Sequence, residues 1–388
     1  MRILYVVNNY YAPGNGLSAS ARRTVEGLKK AGADVRVLSA ANGDPDGPQP
    51  EYVLPDYHVP IFNGLINRQG YSFAASDVSV MKEAVKWADI VHLEEPFHIQ
   101  HEVCNIAERL GKPCVGTYHM HPENLFSSVG MRKDPLINGT TLSYWRHSIY
   151  NRCVIIQCPS ENARARLAGH GLKAELRVIS NGMSDDVTSD IPEKRRRNDG
   201  TYTVITTGRY SVEKDQITLL RAMKYSAYAD RIRLILAGRG PKEKKLREYA
   251  DKLVKKGVLS IPPVFGFYTL DELKQLYAES DLYIHCATVE VEGLSCMEAI
   301  QTGLVPIIAD AGLSATAQFA KNSMSVFPER DAKALAERID YWLSDDARRH
   351  TEEKKYVNAG AEYDIKYSIS DLMKMYEDAI KTYDAQLA

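Results

Sequence analysis

Two carboxylates separated by seven residues stand in Glu290-Val-Glu-Gly-Leu-Ser-Cys-Met-Glu298, just after an apolar run that ends near Cys286. Gly293 sits where a loop would enter a helix. That puts Glu290 on the loop, the backbone N–H groups of Gly293, Leu294 and Ser295 at the helix N-terminus, and Glu298 one turn inside. Carboxylates of this kind hold a polyol by its hydroxyls, and free helix amides hold an anion. A second group, Gly208-Arg209-Tyr-Ser-Val-Glu-Lys214, follows another apolar run about eighty residues earlier. A guanidinium and an ammonium on one loop can both reach a diphosphate, the first by paired hydrogen bonds and the second as a point charge. Lone acidic residues are common in first helical turns, and loop cations are commonly solvated. The two patterns in one half of the chain argue instead for a site that neutralises a leaving phosphate.

Groups on loops need strands and helices to aim them. Short apolar runs recur at residues 3–7, 34–38, 90–93, 114–118, 154–158 and 176–179, and amphipathic stretches such as 18–30 and 99–110 lie between them. After a charged stretch at 181–200, containing Lys194-Arg195-Arg196-Arg197, the rhythm resumes at 203–207, 234–237, 282–285 and 305–308. Strand and helix in alternation imply parallel sheets covered on both faces. The expected architecture is two doubly wound α/β domains, residues 1–182 and 201–367, joined by a linker at 183–200 and facing a central cleft. A last helical pattern over 368–388 could pack on either domain. Ligands of such sheets bind beyond the carboxyl ends of the strands, which is where both groups fall.

Composition narrows the function. The 388 residues are 44% hydrophobic and 26% charged, ordinary for a soluble globular chain of two or three domains. Forty-nine basic against fifty acidic residues leave a net charge of −1, with no long-range field to gather nucleic acid. Six cysteines without a C-x-x-C pair fit buried thiols in a reducing cytoplasm rather than a disulfide framework or a zinc site. Residues 3–21 are uncharged, but Asn, Pro and Gly interrupt them too often for a spanning helix. The apolar run at 3–7 reads as a buried strand rather than a secretory leader. A dinucleotide fingerprint fails at Gly14-Asn-Gly16-Leu-Ser-Ala, which lacks its third glycine and has Arg36 and Val37 where a second strand should end in an acid.

The pair Gly208-Arg209-(x4)-Lys214 and Glu290-(x7)-Glu298 resembles the retaining GT-B glycosyltransferases of family 4, and the resemblance covers nearly the whole chain. Ala237-Gly-Arg-Gly240-Pro241 is similar to the family's Gly-x-Gly-Pro turn, and Val264-Phe265-Gly-Phe267 to its segment beside the nucleotide base. Thr117-Tyr-His119-Met-His121-Pro-Glu123-Asn124 places a histidine where the family has one beside the donor sugar. That segment, with Leu54–Phe62 and Cys158-Pro-Ser-Glu161, looks like the branch containing bacterial diacylglycerol glucosyltransferases.

The resemblance implies transfer of a hexose, glucose or galactose, from a UDP-type sugar to a hydroxyl acceptor with retention of configuration. It implies Glu290, Arg209, Lys214 and His119 as catalytic residues. Gly16, Gly208, Gly240, Phe265, Gly293, Leu294, Ser295 and Glu298 would bind the donor, Glu298 through its ribose. Asn15, His121, Glu123 and Asn124 would meet the acceptor, a membrane lipid such as diacylglycerol. No metal and no cofactor beyond the nucleotide sugar are expected, the loop cations neutralising the leaving group. The expected partners are the donor, a lipid or saccharide acceptor and a membrane surface touched from the cytoplasmic side, with no nucleic acid. The aromatic-rich stretch 50–75 would either meet that surface or pack on the sheet. Cell-envelope polysaccharide or a small polyol as acceptor, a sugar-nucleotide epimerase, a glucan polymerase and a non-catalytic sugar-nucleotide sensor are the alternatives. Two departures from the family leave the sugar open: Glu292 replaces an aromatic before Gly293, and the loop at 310–316 lacks a Gly-Gly pair.

Overall fold

The computed structural model describes residues 1–12, 15–57, 73–127, 134–183, 185–195, 197 and 199–388. By its contacts the chain divides into two compact units: residues 1–123 with 131–182 and 365–388, and residues 124–130 with 183–364.

In the first unit, β1 (Arg2–Val6), β2 (Asp34–Ala40), β3 (Tyr52–Leu54), β4 (Ile90–Leu93), β5 (Cys114–Thr117), β6 (Ile155–Cys158) and β7 (Glu175–Val178) form one sheet. Its order is β3-β2-β1-β4-β5-β6-β7, with every pairing parallel. The central strands are covered on both faces, so their sequences are mainly apolar rather than alternating. Helix α1 (Gly16–Lys30) begins at Asn15, whose side chain accepts from the Leu17 and Ser18 amides, and it ends on Lys29 and Lys30, favourable at a helix C-terminus.

In the second unit, β8 (Tyr202–Thr207), β9 (Ile232–Ala237), β10 (Val264–Gly266), β11 (Leu282–His285), β12 (Val305–Asp310) and β13 (Val326–Pro328) form a parallel sheet in the order β10-β9-β8-β11-β12-β13. Among its helices are α2 (Gln216–Ala222), α3 (Glu243–Lys255), α4 (Leu294–Gln301) and α5 (Ala332–Leu343). The strand order reverses beside β8, so the loops after β8 and β11 open at the switch point where doubly wound sheets bind ligands.

The closing helix α6 (Ile365–Leu387) is longer than its apolar pattern suggests, and it packs on the first unit. Leu372, Met375, Tyr376 and Ala379 are buried against the core that holds Ile3, Tyr5 and Val35. Gly27 permits the approach of α1, since a Cβ there would lie 2.7 Å from Ile369 Cδ1. Residues 183–200, expected as a solvated linker, instead belong to the second unit. Their backbone is tied down by Arg195 N–H donating to Ala278 O (3.1 Å) and by Lys274 Nζ donating to Ser189 O (2.9 Å). All six cysteines are free and buried. Among the described residues no helix is long and apolar enough to cross a membrane.

Candidate functional site

Beyond β8 the chain turns at Gly208, whose φ of +130° suits glycine. Hydrogen bonds stitch the loop that follows to the turn after β9: Gly208 N–H to Ala237 O (2.9 Å), Tyr210 N–H to Arg239 O (3.0 Å) and Lys242 N–H to Tyr210 O (3.0 Å). Packing explains Gly240 here, because a Cβ would stand 2.6 Å from Tyr210 O. The Gly-x-Gly-Pro turn is thus the bed on which the Arg209–Lys214 loop lies. Gln216 Nε2 donates to Arg209 O (2.9 Å), and Asp215, at φ +47°, closes the loop onto α2.

The loop delivers Lys214 Nζ into contact with a Glu290 carboxylate oxygen. Glu290 lies on a two-residue strand, Val289–Glu290, paired in parallel with Leu313–Ser314. Its side chain keeps 17% exposure, whereas Glu292 is buried. Glu290 therefore both meets the cation and remains open to a ligand, which the buried Glu292 does not. Next comes α4, whose cap Gly293 has φ +103° and no side-chain capping bond. Cys296 N–H returns to Gly293 O (2.9 Å), so the amides of Gly293, Leu294 and Ser295 have no acceptor within the helix. Thr316 Oγ1 packs where a Gly293 Cβ would be, 2.5 Å away, and holds the turn. Glu298 is half-buried inside α4, and Phe265 in β10 lies 6.1 Å from the Tyr210 ring and under the Arg247 guanidinium at 4.6 Å.

Beneath this group is a polar floor that the sequence reading missed. His285 ends β11 with Nδ1 3.1 Å from Tyr283 OH and Nε2 3.3 Å from Thr316 Oγ1, and Nε2 is 3.7 Å from the Glu290 carboxylate. Tyr283 OH also lies 3.2 Å from Ser295 Oγ, linking the strand end to the first turn of α4. Burial, reinforced by the Lys214 charge, holds the His285 imidazole well below its usual pKa. It is neutral at physiological pH. A histidine at a strand terminus in the donor half was the available signal.

Burial pulls the Lys214 ammonium down to about 8, with Arg209 pushing the same way and Glu213 and Glu298 opposing. The ammonium, the form able to pair with a phosphate, is therefore lost as pH rises through about 8 in the free protein. Binding the anion favours the ammonium and moves that loss upward. We expect log kcat/KM for the donor, followed from about pH 6.5 to about 9.5, to fall above about pH 8, and kcat to fall only at higher pH. A flat kcat/KM profile across that range would contradict the role of Lys214.

The remaining expected site residues lie mostly on the first unit. His119 Nε2 stands 2.8 Å from Glu94 Oε1, and the other Glu94 oxygen accepts from Tyr5 OH (2.6 Å) and lies 3.3 Å from His92 Nε2. His92 Nδ1 meets Tyr376 OH of α6 at 2.7 Å, and its ring stacks on Tyr5, its neighbour in β1, with centroids 4.5 Å apart. Burial alone would push the Glu94 carboxyl up, but His119 and His92 outweigh it and hold the group well below the carboxylate range. Thus Glu94 is a buried anion that anchors His119.

His121 Nδ1 lies 2.9 Å from Tyr118 OH, and burial lowers its pKa to about 3, so it is a neutral polar group. Glu123 accepts from Arg166 Nη2 through both oxygens (2.8 and 2.9 Å). Asn124 begins the segment that clusters with the second unit. Asn15 is occupied as the cap of α1, and Gly16 is the first residue of that helix. The stretch 58–72, which carries most of the expected aromatic membrane contact, lies outside the described residues, as do Pro13 and Gly14.

Residues 14–187 match the model of glycosyltransferase family 4, and residues 187–361 match that of glycosyl transferases group 1, so the two cover most of the chain end to end. The chain belongs to the GT-B glycosyltransferases. This glycosyltransferase is 26% identical over 322 residues to alpha-monoglucosyldiacylglycerol synthase from Streptococcus pneumoniae, spanning 80% of this chain and 71% of that one. It is 38% identical to the catalytic domain of cholesterol-alpha-glucosyltransferase from Helicobacter pylori, over 42% of this chain and 99% of that domain, with a TM-score of 0.38. Across 97% of its length the fold matches an Anabaena protein solved with UDP and glucose, at a TM-score of 0.72 and 15% identity.

Proposed function

We propose that this glycosyltransferase moves a hexose from a UDP sugar to the hydroxyl of a membrane lipid such as diacylglycerol, with retention and without a metal ion. The observation that carries the donor half is the meeting of Lys214 and Glu290 beside the uncapped N-terminus of α4. Breaking the sugar–phosphate bond places negative charge on the diphosphate and positive character on the anomeric carbon. Arg209, Lys214 and the α4 amides stabilise the first, and Glu290 faces the second or the sugar hydroxyls. Glu298 holds the ribose. The leaving phosphate takes the acceptor's proton as the new glycosidic bond forms on the face it vacates.

Support for UDP comes from the neighbour solved with UDP and glucose, and support for a lipid acceptor from the curated relative that is a glucosyldiacylglycerol synthase. A donor-by-acceptor screen read by mass spectrometry tests both: UDP-glucose, UDP-galactose and GDP-mannose against diacylglycerol, polyols and oligosaccharides. Glycolipid formed from a UDP hexose in the presence of EDTA is the expected result, with an α-linked product by proton NMR. Product from GDP-mannose alone would overturn the donor assignment, and product on oligosaccharide or polyol alone the acceptor assignment. Donor binding without turnover on any acceptor would favour a sensor.

A further inference from the structure

Ser211 and Val212 of the Arg209–Lys214 loop border a pocket of about 310 Å³ that neither Arg209 nor Lys214 lines. Its wall carries four cations, Arg221 from α2, Lys242 and Lys245 at the start of α3, and Arg330 from the turn before α5. Only one carboxylate, Asp215, shares that wall, and its oxygen already accepts from Thr218 Oγ1 at 2.7 Å. Glu243, the next acid along, is paired instead with Arg247 at 2.8 Å. Among the described residues none of the four cations forms an ion pair with a carboxylate. Arg330 is moreover held at φ +64°, a conformation that costs a non-glycine residue energy.

Ordinary surface cations spread apart or alternate with acids. Here two helices and a turn bring four together around one concavity whose lining includes the buried Leu246. Their mutual repulsion is relieved by an anion with several oxygens, because guanidinium forks and ammonium groups converge on phosphate geometry. We propose that this pocket binds a phosphate ester, as a second anion site separate from the diphosphate site of the transfer reaction. The apolar part of the lining fits the carbon skeleton that an ester carries and inorganic phosphate lacks.

The phosphate can arrive as a soluble ester or as a phospholipid headgroup, and titrations of the full chain distinguish the two. In one arm sn-glycerol 1-phosphate and inorganic phosphate are titrated by calorimetry. In the other, phosphatidylcholine vesicles with and without phosphatidylglycerol are tested by flotation. The expected result is binding in at least one arm that weakens at least tenfold in Lys245→Ala/Arg330→Ala and again in Arg221→Ala. These side chains are exposed, so the variants should keep the fold. Binding to glycerol phosphate identifies the soluble source, and binding only to the anionic vesicles identifies the lipid. No binding in either arm, or unchanged binding by the variants, would overturn the proposal, the second outcome placing the anion at the diphosphate site instead.

Discussion

Lys214→Ala is expected to lower kcat for transfer by about a thousandfold, the scale on which a lost cation or oxyanion donor raises a barrier. The structure gives two reasons to expect so large an effect. Lys214, on the loop that also carries Arg209, is held against Glu290, so in the proposed site its charge meets the one that develops on the leaving group. It is also half-buried, so solvent screens the interaction less than it would at the open surface. Stability should hardly change, because two effects oppose. The lowered pKa means that the fold disfavours the ammonium, and alanine removes that penalty. Glu290, partly exposed and still near His285, then loses its partner. The net change in unfolding free energy at neutral pH is expected within about 1 kcal/mol. Single-turnover transfer and thermal unfolding on the same preparation separate these outcomes. Near-normal turnover in a folded variant would remove Lys214 from the reaction, and Lys214→Met, which keeps the chain length but not the charge, should behave like alanine.

Local pattern made the strands at the centre of both sheets legible. β1, β4, β5, β8, β11 and β12 are buried on both faces, so each stands out as a short, mainly apolar or β-branched run bounded by turns. β3, β10 and β13 lie at sheet edges, have three residues each and show no such run. They are strands because a neighbour pairs with them. The same division holds in the site. Arg209, Lys214, Glu290 and Gly293 stand in short motifs whose spacing implies their loops, so they could be read before any fold was known. His285, Thr316 and Tyr283 meet only when β11, the loop after β12 and α4 are assembled. Glu94 was passed over because its meaning depends on Tyr5, His92, His119 and Tyr376, which come from β1, β4, the segment after β5 and α6. A charged stretch at 183–200 read as linker for a related reason: composition reports solvation, whereas pairing such as Lys194 Nζ with Glu353 at 3.0 Å depends on residues far along the chain.

Glu94→Gln should cost both stability and rate, because the carboxylate is at once a buried anion and the support of His119. The side chain is 1% exposed and touches three groups that hydrogen-bond it, Tyr5 OH, His92 and His119. The amide keeps the shape but brings an NH2 where an acceptor is required, so one of the three partners is left facing a donor. Removing one member of such a buried set costs about 2–4 kcal/mol at neutral pH. The pH dependence carries the sign. The Glu94 pKa is lowered by folding, so its stabilisation is fully present above the ordinary carboxylate value of 4.5 and is lost as pH falls below it. The stability gap between the wild type and Glu94→Gln should therefore be widest near neutrality and shrink in acid, measured by denaturant unfolding at each pH. A gap that stayed constant or widened in acid would mean that the carboxylate does not gain its stabilisation as an anion. For the reaction, the expected place of His119 beside the donor sugar would make Glu94 its positioning residue, since a histidine that loses its anionic support keeps its place but not its tautomer. We expect kcat to fall about a hundredfold with the donor KM nearly unchanged. An equal rise in KM with kcat preserved would make Glu94 a purely structural group and remove His119 from the reacting end of the donor.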